Sequence, residues 1–344
     1  MLYLTTRNKF DAYTVARVLS EEKGPDGGLF YPFRMPLLSE EEVVALKDKS
    51  FGLCVAETLN RFFPCRLSQW DVEFMIGKNP SRICSMGQRI YVAESWHNEG
   101  YSYGWIEDNL GKRICGEGNP ITTWVRIAIR LAFLTGVFAE LQRNGLADPD
   151  HPVDMAVASG DFLLPMTCWY ARQMGLPIAG IVCGCNDNGF AWELMHLGVV
   201  RTDIGCCKTN TPECDVAIPA HMERLICSTL GCEEAIRFGR ACENAESYSL
   251  LPVDAEKLRA GMFAAVVSKE RLETVISGAN RTGGYIMSPY TALGYAALLD
   301  CRGKMGENRT ALLLGEKSPD ADADLVCRVL NLNRAQLKET LNIN

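Results

Sequence analysis

From Val153 onward the chain alternates short, unbroken apolar runs with longer segments whose apolar residues recur every three or four positions. Val153 to Ala158, Ile178 to Cys183 and Thr310 to Leu314 are apolar runs bounded by turn residues, the pattern of strands buried on both faces. Between and after them, helical spacing predicts helices over Phe162 to Met174, Gly189 to Leu197, from about His221, over Glu270 to Ser277 and from Ser288-Pro289 to Asp300. Ala321 to Leu330 and Arg334 to Leu341 read as terminal helices. Asp215 to Ile218 reads as short and extended. Strands of four to six residues separated by helices of about ten argue for a mostly parallel sheet covered by helices on both faces, an α/β fold.

The first half is more helical. Thr122 to Asn144 carries Val125, Ile129, Ala132, Phe133, Phe138 and Leu141 at helical spacing and ends at Asn144-Gly145. Ser39-Glu40-Glu41-Glu42 opens a helix to Lys49, and Gly52 to Phe63 reads as another. Arg89 to Ala93 reads as a strand. At the N-terminus Tyr3-Leu4 is extended, Asp11 is placed to cap a helix through about Glu22, and Gly24-Pro25-Asp26-Gly27-Gly28 is a turn. Residues 97–120, rich in Gly, Tyr, Asn and charge, read as a long connection, and no internal repeat is visible. The organisation expected is an N-terminal region over 1–96, the connection over 97–120 and a large α/β lobe over 121–344.

With 344 residues, 47% apolar, the chain can bury a sizeable core. A net charge of −7 argues against nucleic-acid or anionic-membrane partners. The most apolar long stretch, Ile121 to Leu141, contains Arg126, Arg130 and Glu140, so it reads as a buried helix and not as a span, which needs about 20 nearly uncharged residues. No signal-peptide pattern opens the chain, and its 15 cysteines form no even framework. A cytoplasmic protein with reduced thiols is expected.

Four groups of residues carry candidate chemistry. Ser159-Gly160-Asp161-Phe162 joins a strand to a helix, where free N–H groups favour an anion. However, it holds one glycine, and Asp161 would repel phosphate and can itself cap the helix, which is the preferred reading. Cys183 and Cys185, with Asn186-Asp187-Asn188, lie at the C-terminal end of a strand, where α/β sheets place their sites. Together with Cys206 and Cys207 the two cysteines are candidate metal ligands, against the commoner reading as small buried hydrophobes, since no C-x-x-C spacing is present. His97 with Glu99 is a candidate acid/base pair, against a local hydrogen-bonding role. Lys112, the single lysine between Lys78 and Lys208, is a candidate Schiff-base amine, against a solvated one in a charged loop.

Several segments resemble the threonine synthase family, lysine-tethered pyridoxal phosphate (PLP) enzymes. Tyr3-Leu4-Thr5-Thr6-Arg7 resembles its Y-x-S-T-R start and Asp26-Gly27-Gly28-Leu29-Phe30-Tyr31-Pro32 its D-G-G-L-y-v-P. Trp124-Val125-Arg126-Ile127 is similar to W-A-R-I, Ser159-Gly160-Asp161-Phe162 to the T-G-N-F-G-N phosphate loop, and Met174 to Ile178 to M-G-L-P-I. Asn186-Asp187-Asn188 resembles N-E-N, Thr209 to Asp215 resembles T-x-S-P-S-M-D, and Met222-Glu223-Arg224-Leu225 resembles F-E-R-L. Tyr285 to Ala292 resembles y-x-x-D-P-H-T-A. The order is preserved over about two thirds of the chain. The fold implied is the large lobe of the fold-type II PLP enzymes (tryptophan synthase β-like), with the small lobe deleted.

The departures share a theme. The family's H-G-P-T-x-x-F-K-D starts on His97, and an ungapped count places Gly104 at its lysine. Trp124 follows Gly104 by only twenty positions, too few for a βαβ lobe, whose single crossover unit already takes about 30. The S-G-D-T-G motif is absent, and the T-A-x-P segment beside the pyridine ring appears as Leu314-Gly315-Glu316-Lys317-Ser318-Pro319. The expectation is a family member that has given up PLP chemistry, with no cofactor. Its role would be binding or scaffolding, with a small amino-acid-like or anionic ligand at the sheet edge near Ser159–Phe162 and Asn186–Asn188. A homodimer or a protein partner would cover the open face. Two alternatives stand beside this: an active PLP-dependent threonine synthase, converting phosphohomoserine to threonine with Lys112 or a complementing chain, and a cysteine-based metal protein.

Overall fold

The computed structural model describes residues 1–97, 102–305 and 309–343. Its strands, in chain order, are β1 (Leu2–Thr5), β2 (Asn8–Thr14), β3 (Phe30–Pro32), β4 (Arg82–Ser85), β5 (Ile90–Glu94), β6 (Val153–Ala158), β7 (Ile178–Cys185), β8 (Val199–Val200), β9 (Tyr248–Ser249), β10 (Met262–Val266) and β11 (Ala311–Gly315). The main sheet has the order β10-β7-β6-β11-β5-β4, parallel throughout except for the antiparallel edge strand β4. Strands from residues 82–94 and from residues 153–315 therefore share one sheet.

The unbroken apolar runs form the centre of that sheet because both faces are covered. Alternate residues of each strand enter opposite cores. Met155, Val157, Ile181, Cys183 and Leu312 face one core, while Ala156, Ala158, Val182 and Leu313 face the other. The first core is closed by helices that include Phe51–Phe62, Thr123–Arg143 and Leu163–Gln173, the second by Lys269–Gly283 and Pro289–Met305. Gly184 lets Pro289–Met305 approach β7, since a Cβ there would sit 2.3 Å from the Leu293 carbonyl oxygen.

A small antiparallel sheet, β2-β1-β3, caps the first core, and Tyr3 Oη donates to the Phe62 carbonyl at 3.0 Å. Here the structure departs from the sequence reading. Asp11 caps no helix: Asn8–Thr14 is a strand pairing with β1, and the helix is confined to Val15–Ser20. Five of the seven β2 residues are exposed, so no buried face marks its period in the sequence. Asp215 to Ile218 is not a strand; it follows a 3₁₀ turn over Pro212–Cys214. Strands β4 and β10 and the helices Gln69–Ile76, Cys232–Asn244 and Pro252–Leu258 were not anticipated.

The largest departure lies in the supposed connection. Tyr103–Cys115 is a helix, started by the Ser102 hydroxyl accepting from Trp105 N at 3.2 Å and ended at Gly116, φ +90°. Tyr103, Ile106, Leu110 and Ile114 form its buried stripe, and Gly111 allows close approach to Ile121. Among the described residues no helix is long and apolar enough to cross a membrane.

Candidate functional site

The loops leaving β5, β6, β7 and β11 meet at the C-terminal edge of the main sheet, where a parallel sheet opens its crevice. After β6 the chain turns sharply. Gly160 has φ +44° and Phe162, a fully buried non-glycine residue, has φ +73°. Such left-handed backbone at a bulky residue costs about 1–2 kcal/mol and is held here by packing. Asp161 Oδ1 accepts the Leu163 N–H at 3.0 Å. The carboxylate thus occupies the first free N–H of the helix, where a phosphate would otherwise bind.

Behind Asp161 stands His221, whose Nε2 lies 3.6 Å from Asp161 Oδ2. Burial, reinforced by Arg224 and Arg130, pushes the His221 pKa far below its usual value, so the contact is no ion pair at neutral pH. His221 Nδ1 accepts from Arg224 Nε at 3.3 Å, which assigns the imidazole proton to Nε2, toward Asp161.

Beside this turn the edge is filled by charge. Arg130, on the helix Thr123–Arg143, contacts Glu316 at the end of β11. Its Nε lies 3.6 Å from Glu107, which also binds Arg126. The Arg130 guanidinium lies 4.1 Å from the centroid of the Tyr103 ring. Burial pushes the Glu316 carboxyl up, and the contact with Arg130 opposes it. Tyr103, Ser95, Arg130, Thr167 and Glu316 leave between them a cavity of about 10 Å³, room for one water. On the open side a cleft of about 290 Å³ is walled by Glu107, Thr123, Arg126, Arg130, Asp161 and Tyr290, among others.

The other sequence candidates sit elsewhere. Asn186 and Asn188 are buried and hold the loop 207–215: Asn186 Nδ2 donates to Thr209 Oγ1 and Asp215 Oδ1, each at 2.8 Å, and Asn188 Nδ2 to the Cys207 carbonyl at 2.9 Å. Asp187 lies beside this lock, on a second cleft with Lys208 and Lys269. Cys183 and Cys185 are buried in β7, and burial raises both thiol pKa values. Cys206 and Cys207 are exposed. Among the described residues no group of three or more His, Cys, Asp or Glu side chains is placed to hold a metal ion. His97 is half-buried after β5, its pKa pushed down by burial and by Arg82, and its Nδ1 makes no hydrogen bond. Glu99 lies outside the described residues, so the His97–Glu99 pairing does too.

These residues do not fit PLP at this edge. Among the described residues no lysine lines the cleft or the small cavity. Lys112 points to solvent and pairs with Asp108 one turn away on its helix. Gly104 is exposed in the first turn of the same helix. Lys317, after β11, is held by Glu213 and by Asp322 at 2.9 Å; burial opposes its charge, but these contacts raise its pKa and keep the amine protonated. A Schiff base needs an unprotonated amine, and a phosphate needs free donors.

The motifs missed as a unit by sequence reading are those of the N-terminal clasp. Arg7 Nη2 pairs with Glu223 at 3.1 Å, and Thr6 donates to the same carboxylate. Arg224 Nη1 donates to the Phe30 carbonyl at 2.7 Å. The Tyr3–Arg7 start, the Asp26–Pro32 turn and the first turn of the helix Met222–Leu230 are thus one contact.

Residues 2–79 match the family model "Threonine synthase N terminus". The chain is 24% identical over 184 residues to "Threonine synthase-like 1" of Homo sapiens, covering 52% of this chain and 24% of that protein. It is 32% identical over 127 residues to the threonine synthase of Methylobacillus glycogenes, covering 36% of this chain and 26% of that protein. The chain thus matches about a quarter of the length of these curated relatives. In fold it is similar to the PLP-bound threonine synthase from Brucella melitensis, with a TM-score of 0.82 at 17% identity over 100% of this chain and 95% of that one. In its N-terminal segment, in its sequence relatives and in its fold, the chain is similar to threonine synthases and threonine synthase-like proteins.

Proposed function

We propose that this protein is a threonine-synthase-like member that no longer performs PLP-dependent catalysis and instead binds a small amino-acid-like ligand in the cleft beside Asp161. The observation that carries the reading is the largely buried cluster of Arg130, Glu316, Glu107 and Tyr103 at the sheet edge, with no lysine among the described residues that line the cleft. The cleft offers both signs of charge: Arg126 suits a carboxylate, and Asp161, about half exposed, suits an ammonium group. A second copy of the chain, or another protein, covering the face bared by the lost lobe belongs to the same reading.

The test is spectroscopic. Adding PLP should give no borohydride-reducible band near about 410–430 nm, where an internal aldimine absorbs. Such a band, abolished by Lys112→Ala or Lys317→Ala, would overturn the proposal in favour of an active PLP enzyme. Calorimetric titration with threonine and with phosphohomoserine should show saturable binding to one of them that Arg126→Ala weakens. Heat-silent titrations with both would remove the binding role.

A further inference from the structure

Arg224 belongs to the clasp, yet the clasp does not account for its charge. The side chain is 1% exposed, and among the described residues no carboxylate forms an ion pair with it, since adjacent Glu223 is engaged by Thr6 and Arg7. Nη1 and Nε are used by the Phe30 carbonyl and by His221, while Nη2 has no hydrogen-bond partner. Glu223 and Glu22 attract the guanidinium without pairing with it, and burial prevails to lower its pKa, so the charge favours a closer counter-ion.

Arg224 lines a cavity of about 290 Å³ between the N-terminal sheet and the helices Leu163–Gln173 and Met222–Leu230. The other polar walls are Tyr31, Tyr170, Gln173, Cys227 and Ser228, and neither aspartate nor glutamate lines it. Ser228 Oγ accepts from Trp169 Nε1 and from Gln173 Nε2, each at 3.2 Å, which leaves its own proton available to donate. Burial raises the pKa of Tyr31 and Tyr170 and pushes the Cys227 thiol up to about 12, so all three remain protonated donors at neutral pH. A buried cation and a ring of neutral donors, with no competing carboxylate, is the electrostatic complement of an oxyanion.

We infer that this cavity is a second ligand site, taking a small carboxylate or phosphate anion against the guanidinium of Arg224. It is distinct from the cleft beside Asp161. His221 stands between the two, with Nδ1 toward Arg224 and Nε2 toward Asp161. The volume suits a small organic or inorganic anion, and the donors surround it from three elements.

The experiment is calorimetric titration of the full chain, at constant ionic strength, with succinate, with inorganic phosphate and with chloride. Saturable binding of succinate or phosphate, and not of chloride, is expected, and which of the two binds identifies the anion class. Gln173→Glu places a carboxylate on the exposed wall of the cavity without disturbing the core, and it should weaken that binding by about tenfold or more. Arg224→Gln should abolish it, with circular dichroism confirming the fold. Arg126→Ala, in the other cleft, should leave it unchanged. The inference is overturned if neither oxyanion binds, if Gln173→Glu binds as the parent does, or if Arg126→Ala removes the binding.

Discussion

The guanidinium of Arg130 lies 4.1 Å from the centroid of the Tyr103 ring, with its charge directed at Glu316. Tyr103 comes from the start of the helix Tyr103–Cys115, and Glu316 directly follows β11. The two residues meet across Arg130, so the edge is closed by parts far apart in the chain.

Glu316→Gln should therefore destabilise the fold strongly, because it leaves Arg130, 16% exposed, without its main counter-charge. The expected loss is about 3 kcal/mol in chemical denaturation. The double variant Arg130→Met, Glu316→Leu should recover most of it, since a buried pair replaced by apolar groups of similar size is often neutral. A double variant as unstable as the single one would contradict this account.

Gly184→Ala should be among the most damaging single-methyl additions. Its Cβ would meet the Leu293 carbonyl oxygen at 2.3 Å and the Gly294 nitrogen at 2.8 Å, both main-chain atoms of a packed helix. The loss expected is about 3 kcal/mol, read as a lowered denaturation midpoint at unchanged slope.

Arg7→Met should loosen the N-terminal sheet while leaving the main sheet intact. Arg7 and Glu223 are 10% and 7% exposed, so the change strands a nearly buried carboxylate. Amide exchange in residues 2–5 and 30–32 should accelerate, whereas β6 and β7 should keep their protection.

Glu140 gives a pH dependence. Burial pushes its carboxyl up to about 7, partly offset by Arg143, and Oε2 makes no hydrogen bond. The folded-state pKa lies above the unfolded one, so the folded chain binds the extra proton between about pH 4.5 and pH 7. This contribution is fully present at low pH and is lost as pH rises through 7. His221 runs the other way: its pKa is depressed, so its contribution is lost as pH falls below its unfolded value of about 6.5. The Glu140→Gln variant separates the two. Relative to it, the parent should lose about 2–3 kcal/mol between pH 5 and pH 8. Parallel stability curves for the two proteins would refute the assignment.

The central strands were legible because burial on both faces writes itself as an unbroken apolar run. The capping role of Asp161 was legible because a carboxylate two residues before a helix has one obvious donor to accept from. Strand β2 was misread because an exposed ribbon carries no apolar period, leaving Asp11 to suggest a cap it does not form. The helix Tyr103–Cys115 was hidden by its glycines and charges, although Ser102, the spacing of Tyr103, Ile106, Leu110 and Ile114, and Gly116 together spell a capped amphipathic helix. The pairing of Arg7 with Glu223, 216 positions apart, left no local trace.

The sequence by itself determined the α/β class, the resemblance to threonine synthases and the absence of any lysine between Lys78 and Lys112, because each is a matter of residue type and local spacing. Only the tertiary structure decided that distant segments converge: Tyr103, Arg130 and Glu316 fill one edge of the sheet, Lys112 faces solvent, and Arg224 faces a cavity lined by no carboxylate. Those are questions of which side chains share a volume out of water, and sequence spacing does not encode a volume.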